Sequence, residues 1–255
     1  MQSHRICGVV RLGLIEYRRA WELQRQLVRA RQAGAVPDLL LLCEHPHVIT
    51  LGRNARREHI RASRHLLAQM GVDVAETDRG GDVTYHGPGQ LVGYPILDLR
   101  GYRQDLHWYL RTLEQALVVA LDELGIAAAR RPGFTGVWTV PGGRKIASIG
   151  VHVKQWVTWH GFALNVTTDL AQFDRIVPCG IPGVVMTSVE RERGAAGPRD
   201  RRGLWDAAVA AVIRGFACAF GVTAEPGGAA DLPPSARPPH AAPLRDQAPP
   251  VPSSS

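Results

Sequence analysis

The sequence predicts an α+β protein. Three observations carry that expectation. Apolar stripes recur at helical spacing, short strand-like runs are set off by glycine and proline, and hairpins mix with helices rather than alternating strictly with them. Strict alternation would have pointed to a doubly wound parallel sheet. With 255 residues, 45% of them apolar and 21% charged, the chain can bury a sizeable core without disulfides.

Cys7 sits in a short amino-terminal strand-like segment. Tyr17 to Ala33 reads as a helix with Ala20, Leu23, Leu27 and Ala30 on one stripe. Two strand-like runs follow, Leu39–Cys43 and Val48–Leu51, parted by Glu44-His-Pro-His. A short helix is expected around Ala62–Gln69, closed by Gly71, and strands at Asp82–Tyr85 and Leu91–Leu97. From about Arg103 to Leu124 a strong stripe of Leu106, Leu110, Leu113, Leu117, Leu121 and Leu124 predicts an amphipathic helix stopped by Gly125. Thr135–Val140 and Lys145–Val153 flank Pro141-Gly-Gly, a hairpin signal. A further strand, Gln155–Val166, is expected to break at His160-Gly161, and a last helix covers roughly Leu204–Phe220.

From Val222 the character changes. Nine of the 18 prolines lie between Pro226 and Pro252 among Ala, Ser and Gly, so residues 222–255 are expected to be a disordered tail behind a catalytic domain of residues 1–221. No secretory pattern opens the chain, and unbroken apolar runs such as Leu39–Cys43 are far too short to cross a bilayer. A cytoplasmic protein is the expectation, with no membrane partner. The net charge is +7, and the tail holds two arginines against three acids, which leaves the body at +8. Such a surface favours acidic partners, but the basic residues are scattered without aromatic interleaving, which argues against nucleic acid.

Four cysteines, at positions 7, 43, 179 and 218, lack metal or redox spacing. Cys7, Cys43 and Cys218 lie in apolar segments and read as core thiols. Cys179 is set between Pro178 and Gly180, with little apolar pattern around it. His45-Pro-His47 is poor geometry for shared ligation, and no second pair has ligand spacing, so no metal is expected.

Three segments carry more Gly, His, Lys and Cys than packing requires. The first is Arg79-Gly-Gly-Asp-Val-Thr-Tyr-His-Gly-Pro-Gly-Gln90. It reads either as a loop whose free N–H groups cradle a ligand, or as a glycine-rich hairpin with incidental polar residues. In the second, Arg144-Lys145-Ile-Ala-Ser-Ile-Gly150, strand alternation places Lys145 on the core-directed face of Ala147 and Ile149, unless the strand begins at Ile146 and leaves Lys145 solvated. In the third, Ile176-Val-Pro-Cys-Gly-Ile-Pro-Gly183, a constrained turn either presents a nucleophilic thiol to a cleft or holds a lone buried cysteine.

Taken in order, Glu44-His-Pro, Arg79-Gly-Gly-Asp-Val-Thr-Tyr-His-Gly-Pro-Gly-Gln-Leu-Val, Pro132-Gly-Phe-Thr-Gly-Val-Trp, Lys145-Ile-Ala-Ser-Ile-Gly, His160-Gly-Phe-Ala-Leu-Asn-Val and Pro178-Cys-Gly resemble the lipoyl(octanoyl) transferase family. The resemblance runs from about Arg11 to Phe220. The Pro-rich tail and the charged stretch Arg191–Arg202 lie outside it. It implies a biotin/lipoate protein ligase-like fold, a mixed β-sheet packed with helices on one side. The implied reaction moves octanoyl from octanoyl-acyl carrier protein to a lysine ε-amino group through a thioester on Cys179, with Lys145 as the activating residue. The implied acceptors are lipoyl domains of 2-oxoacid dehydrogenase E2 subunits and the glycine cleavage H protein. Substrate contacts would come from Arg79, Gly80, Gly81, Asp82, Val83, Thr84, Tyr85 and His86, from Ser148, Ile149 and Gly150, and from Gly161, Phe162 and Ala163. No cofactor is implied, because the donor thioester is already activated. The N–H groups of Gly180 or of the Gly80-Gly81 turn are candidate oxyanion donors. The alternatives are an ATP-dependent lipoate or biotin protein ligase on the same fold, and a non-catalytic lipoyl-domain-binding protein.

Overall fold

A computed structural model describes residues 5–194, 200–227 and 232 of the chain. In chain order the described elements are β1 (Arg5–Leu14), α1 (Tyr17–Gln32), β2 (Asp38–Glu44), β3 (Val48–Leu51), α2 (Arg64–Gln69), β4 (Asp73–Glu76), β5 (Val83–His86) and β6 (Gln90–Ile96). They continue with α3 (Leu106–Glu123), β7 (Ala128–Ala129), β8 (Val137–Thr139), β9 (Lys145–Lys154), β10 (Val157–Asn165), α4 (Val189–Arg193), α5 (Arg201–Phe220) and β11 (Val222–Gly227). Eight strands form one mixed sheet in the order β11-β1-β2-β6-β10-β9-β8-β7, and β4-β3-β5 form a second, smaller one. In the large sheet β1 runs parallel to β11 and β2, and every step from β2 to β7 is antiparallel. This is the α+β arrangement expected.

The leucine run of β2 shows how the layers are stacked. Leu40 and Leu42 enter a core with α3 and α5, whereas Leu39, Leu41 and Cys43 enter another with Ala20, Leu23, Leu27 and Val28 of α1. A strand covered on both faces must be apolar at every position, which is why this run does not alternate. The expectation of helices on one side is therefore corrected: α1 covers the face opposite α3 and α5.

Several boundaries shift for local reasons. The Asp105 side chain accepts from Trp108 N and caps α3, so the helix starts at Leu106 rather than Arg103. Its buried stripe runs through Tyr109, Leu113, Ala116, Leu117, Ala120 and Leu121, and Leu106 is exposed. β10 does not break at His160-Gly161. It stays paired with β9 throughout, with His160 in the left-handed region at φ 55°, while its pairing with β6 begins only at Phe162. α5 is long and apolar enough by composition to cross a membrane, yet Leu204, Ala208, Val212, Phe216 and Phe220 are buried in the core it shares with α3. Cys7 and Cys43 are buried, but Cys218 lies on the exposed face of α5, contrary to its reading as a core thiol.

The tail boundary also moves. Val222–Gly227 is a strand paired in parallel with β1, and Leu232 is buried in the α1-side core. Proline at a sheet edge leaves the ladder intact because its missing N–H can face away from the neighbour, so Pro226 is tolerated in β11. The rest of the expected tail and residues 195–199 of the charged stretch lie outside the described residues.

Candidate active site

Cys179 occupies a tight turn, Pro178–Gly180, with φ 57° and ψ 18°. A non-glycine residue there costs about 1–2 kcal/mol, so neighbours must impose it. Gly180 follows at φ 66° and donates its N–H to Val177 O at 3.0 Å. A Cβ on Gly180 would collide with Asp82 Oδ2 and lie 3.2 Å from His59 Cε1. The turn is thus pressed against the glycine-rich loop and the segment around His59. The thiol itself is half-buried, with Ser148 Oγ 3.7 Å from Sγ.

Lys145 opens β9 and is only 1% exposed. Its face is set by a bulge: Val137 pairs with Ala147 but Trp138 with Lys145, so Ile146 is an extra residue. Ile146 and Ala147 both enter the α3–α5 core, and Lys145 shares a cavity with Ser148, three residues on. The expected pairing of Lys145 with the Ala147 face is thereby corrected. Nζ donates to Thr135 O at 2.9 Å and lies 4.4 Å from the centre of the Trp138 ring, a cation–π contact. Gly136 next to Thr135 allows this close approach, since a Cβ would sit 3.0 Å from Nζ, and the buried Glu114 accepts from Gly136 N at 3.0 Å. The main chain of Lys145 also bonds Val185 O and Thr187 N, tying the strand to the loop that leads away from Cys179.

Both residues line a cavity of 240 Å³. One wall is the loop running from Arg79 into β5. The Arg79 guanidinium is buried and anchored on β3: Nη2 donates to Thr50 O at 2.6 Å and Nε to Thr50 Oγ1 at 3.1 Å. His86 donates through Nδ1 to Gln90 Oε1 at 2.7 Å and stacks on Tyr17. Burial, then the neighbouring His45 and Arg79, push its pKa well below the usual histidine value, so it is a neutral ring. His45 is likewise held neutral: burial lowers its pKa to about 4, and Nε2 accepts from Tyr94 OH at 2.7 Å. Asp78 binds His160 Nε2 at 2.7 Å and Trp21 Nε1 at 3.1 Å. Burial pushes the Asp78 carboxyl up, but the bonds and charges of His160, His152 and Trp159 outweigh it and hold it at about 2.

The sequence profile of the lipoyl protein ligase A/B catalytic domain matches residues 16–218. The chain belongs to this family. It is 50% identical over 222 residues to an octanoyltransferase of Gloeobacter violaceus, covering 87% of this chain and 93% of that one. It is 56% identical over 177 residues to an octanoyltransferase of Solibacter usitatus, covering 69% and 80%. Among solved structures it is similar to a lipoate-protein ligase A bound with ATP, with a TM-score of 0.71 and 17% identity over 89% of each chain. A bi-partite lipoate protein ligase from Thermoplasma acidophilum matches with a TM-score of 0.68 at 19% identity over 88% of each. These structures establish the lipoate ligase fold.

In this member of the lipoyl protein ligase A/B family, fourteen of the sixteen residues singled out from the sequence line the cavity: Lys145, Cys179, Arg79, Gly81, Asp82, Val83, Thr84, His86, Ser148, Ile149, Gly150, Gly161, Phe162 and Ala163. Gly80 and Tyr85 do not. Gly80 donates its N–H to Val151 O at 2.9 Å, and Tyr85 points to the opposite face of β5, where its hydroxyl meets His47 Nδ1 at 2.7 Å. Of the candidate oxyanion donors, the N–H groups of Gly180 and Gly80 are thus engaged, and Gly81 N–H has no protein partner among the described residues. Sequence reading missed Tyr17, Val92, Tyr94, Gly133, Phe134, Thr135, His160 and Ile181. Val92, Gly133, Phe134, Thr135 and His160 lie inside segments that carried the resemblance. Tyr17 and Tyr94 have no local signal, because only packing of α1 and β6 brings them to the cavity.

Proposed function

We propose that this chain transfers octanoyl from octanoyl-acyl carrier protein to a lipoyl-domain lysine through a thioester on Cys179. The observation that carries the reading is the left-handed Pro178–Gly180 turn, which sets the thiol on the same 240 Å³ cavity as the buried Lys145. The cavity lining includes Val92, Ile149, Phe162 and Ala163, which suit an acyl chain, and Arg79, Gly81 and Ser148, which suit a carbonyl. Thioester exchange is nearly balanced, so acylation of Cys179 needs no nucleotide. Aminolysis is downhill because an amide is the more stable product. A cysteine nucleophile divides the transfer so that two bulky carriers visit in turn. Lys145 favours the thiolate, and the Gly81 N–H, which has no protein partner among the described residues, is the donor available to the developing oxyanion. The +8 body favours an acidic donor carrier.

An ATP-dependent ligase shares the fold, and a binding-only protein would share the surface. Identity of 50–56% to octanoyltransferases, together with a presented cysteine, favours transfer. The test is intact mass spectrometry after mixing with octanoyl-acyl carrier protein and no ATP. One octanoyl group, removable by hydroxylamine and absent in Cys179→Ala, is expected. An adduct that persists in Cys179→Ala overturns the thioester on Cys179, and a strict ATP requirement favours the ligase.

A further inference from the structure

A titratable side chain outside the cavity lining touches the nucleophile turn. His59 ends a short turn, Arg57–His59, whose chain continues as a bridge to the segment before Cys179. Val177 N donates to His59 O at 2.7 Å and Arg61 N to Arg175 O at 2.7 Å, so the two segments move as one. The His59 ring packs against Gly180, and its Nδ1 lies 2.8 Å from Asp82 Oδ2. Asp82 is itself fixed, because Oδ1 accepts from Val83 N at 2.7 Å and Arg56 N at 3.3 Å. A carboxylate at Nδ1 holds the proton there and leaves Nε2 with its lone pair. Among the described residues Nε2 has no protein partner, and the side chain is 19% exposed.

The second half-reaction needs such a group. The acceptor lysine arrives as an ammonium and must lose one proton before its nitrogen attacks the thioester carbonyl. The C–N bond forms, the C–S bond breaks, and the electron pair leaves on Cys179 sulfur. A second proton passes from nitrogen to that thiolate, so one proton per turnover must reach solvent. Lys145 can exchange a proton inside the cavity, but at 1% exposure, with Nζ bonded to Thr135 O, it is not itself in contact with bulk water.

We propose that His59, oriented by Asp82, accepts the proton of the incoming lysine and discharges it to water. The proposal rests on the Cys179 thioester reading. Arg79 lies within electrostatic reach of both Asp82 and Cys179. A base oriented by a carboxylate thus stands beside the turn that carries the nucleophile. Proton handling is divided between a buried lysine and a histidine in contact with water.

The test separates the half-reactions by rapid quench. His59→Asn keeps a donor toward Asp82 and removes the base. It should acylate Cys179 at close to the wild-type rate but release octanoyl to a lipoyl domain about 10²-fold more slowly. Added imidazole should restore aminolysis in His59→Ala. Equal slowing of both half-reactions in His59→Asn and His59→Ala, with no imidazole rescue, would mean that His59 only holds the turn and would overturn the proposal. Wild-type aminolysis in His59→Asn overturns it as well. If the wild type forms no acyl-enzyme, the Cys179 reading falls and takes this proposal with it.

Discussion

Lys145 and Cys179 face one cavity from two kinds of backbone. Lys145 stands on a strand of the large sheet, paired on both sides, and a single extra residue at Ile146 decides which way it points. Cys179 stands on a three-residue turn in the left-handed region, tied through Val177 to the main chain of His59 and packed against Asp82, and of these only Val177 neighbours it closely in the chain. A strand stores its geometry in a ladder of regular bonds and tolerates local change. A turn of this kind depends on a few contacts from distant segments, and each carries more weight.

The sharpest way to break the comparison is to remove the lysine. Lys145→Ala should slow both half-reactions by roughly 10²–10⁴-fold, and carboxamidomethylation of Cys179 at neutral pH should slow with it. Lys145→Arg keeps a cation but cannot give up a proton, so it should retain part of the acylation and lose aminolysis. Alkylation kinetics identical to wild type in Lys145→Ala would remove Lys145 as the activating group.

Next come the two glycines that guard the sites. Gly180→Ala meets both the collision with Asp82 and a left-handed backbone, and it should cost at least about 1–2 kcal/mol of stability and most of the acylation rate. Gly136→Ala at φ 131° would place a Cβ 2.6 Å from Ala147 O and 3.0 Å from Lys145 Nζ. Because the strand can shift slightly, it should lose less activity. Guanidinium melts and burst amplitudes measure both. Equal losses would mean that turn and strand are equally constrained.

The histidine wall beside both sites predicts acid sensitivity. Folded His45 resists protonation until about pH 4, whereas the unfolded chain binds that proton near the ordinary histidine value. Its contribution to stability is therefore complete above about pH 6.5 and lost as pH falls toward 4. His86 and His160, both lowered by burial, act in the same direction. Thermal melting should fall across this window, and less steeply in His45→Gln, which can still accept from Tyr94 and donate to Ile15 O. A pH-independent melting point would show that these rings are not held neutral.

The smallest effect on the chemistry is expected at the far edge of the sheet. Ending the chain after Gly221 removes β11, which lies four strands from β10, so melting should drop while acylation of Cys179 persists. Ending it after Leu232 should change neither. Loss of acylation in the longer form would assign residues beyond 232 a part in donor binding.

What the sequence determined by itself is what neighbours within a few residues decide. The stripe of α1, the Gly125 stop, the hairpin around Pro141 and the six ordered segments with Cys179 and Lys145 were all legible, because periodicity, turn chemistry and motif spacing are local. The tertiary structure alone decided that Ile146 bulges and turns Lys145 toward Ser148, and that both faces of β2 are covered. It also decided that Cys218 is exposed, that β11 pairs with β1, and that His59 and Asp82, 23 residues apart, meet under Gly180. Register, burial and side-chain partnership depend on residues far away in the chain. Their identities are written in the sequence, but their distances are not.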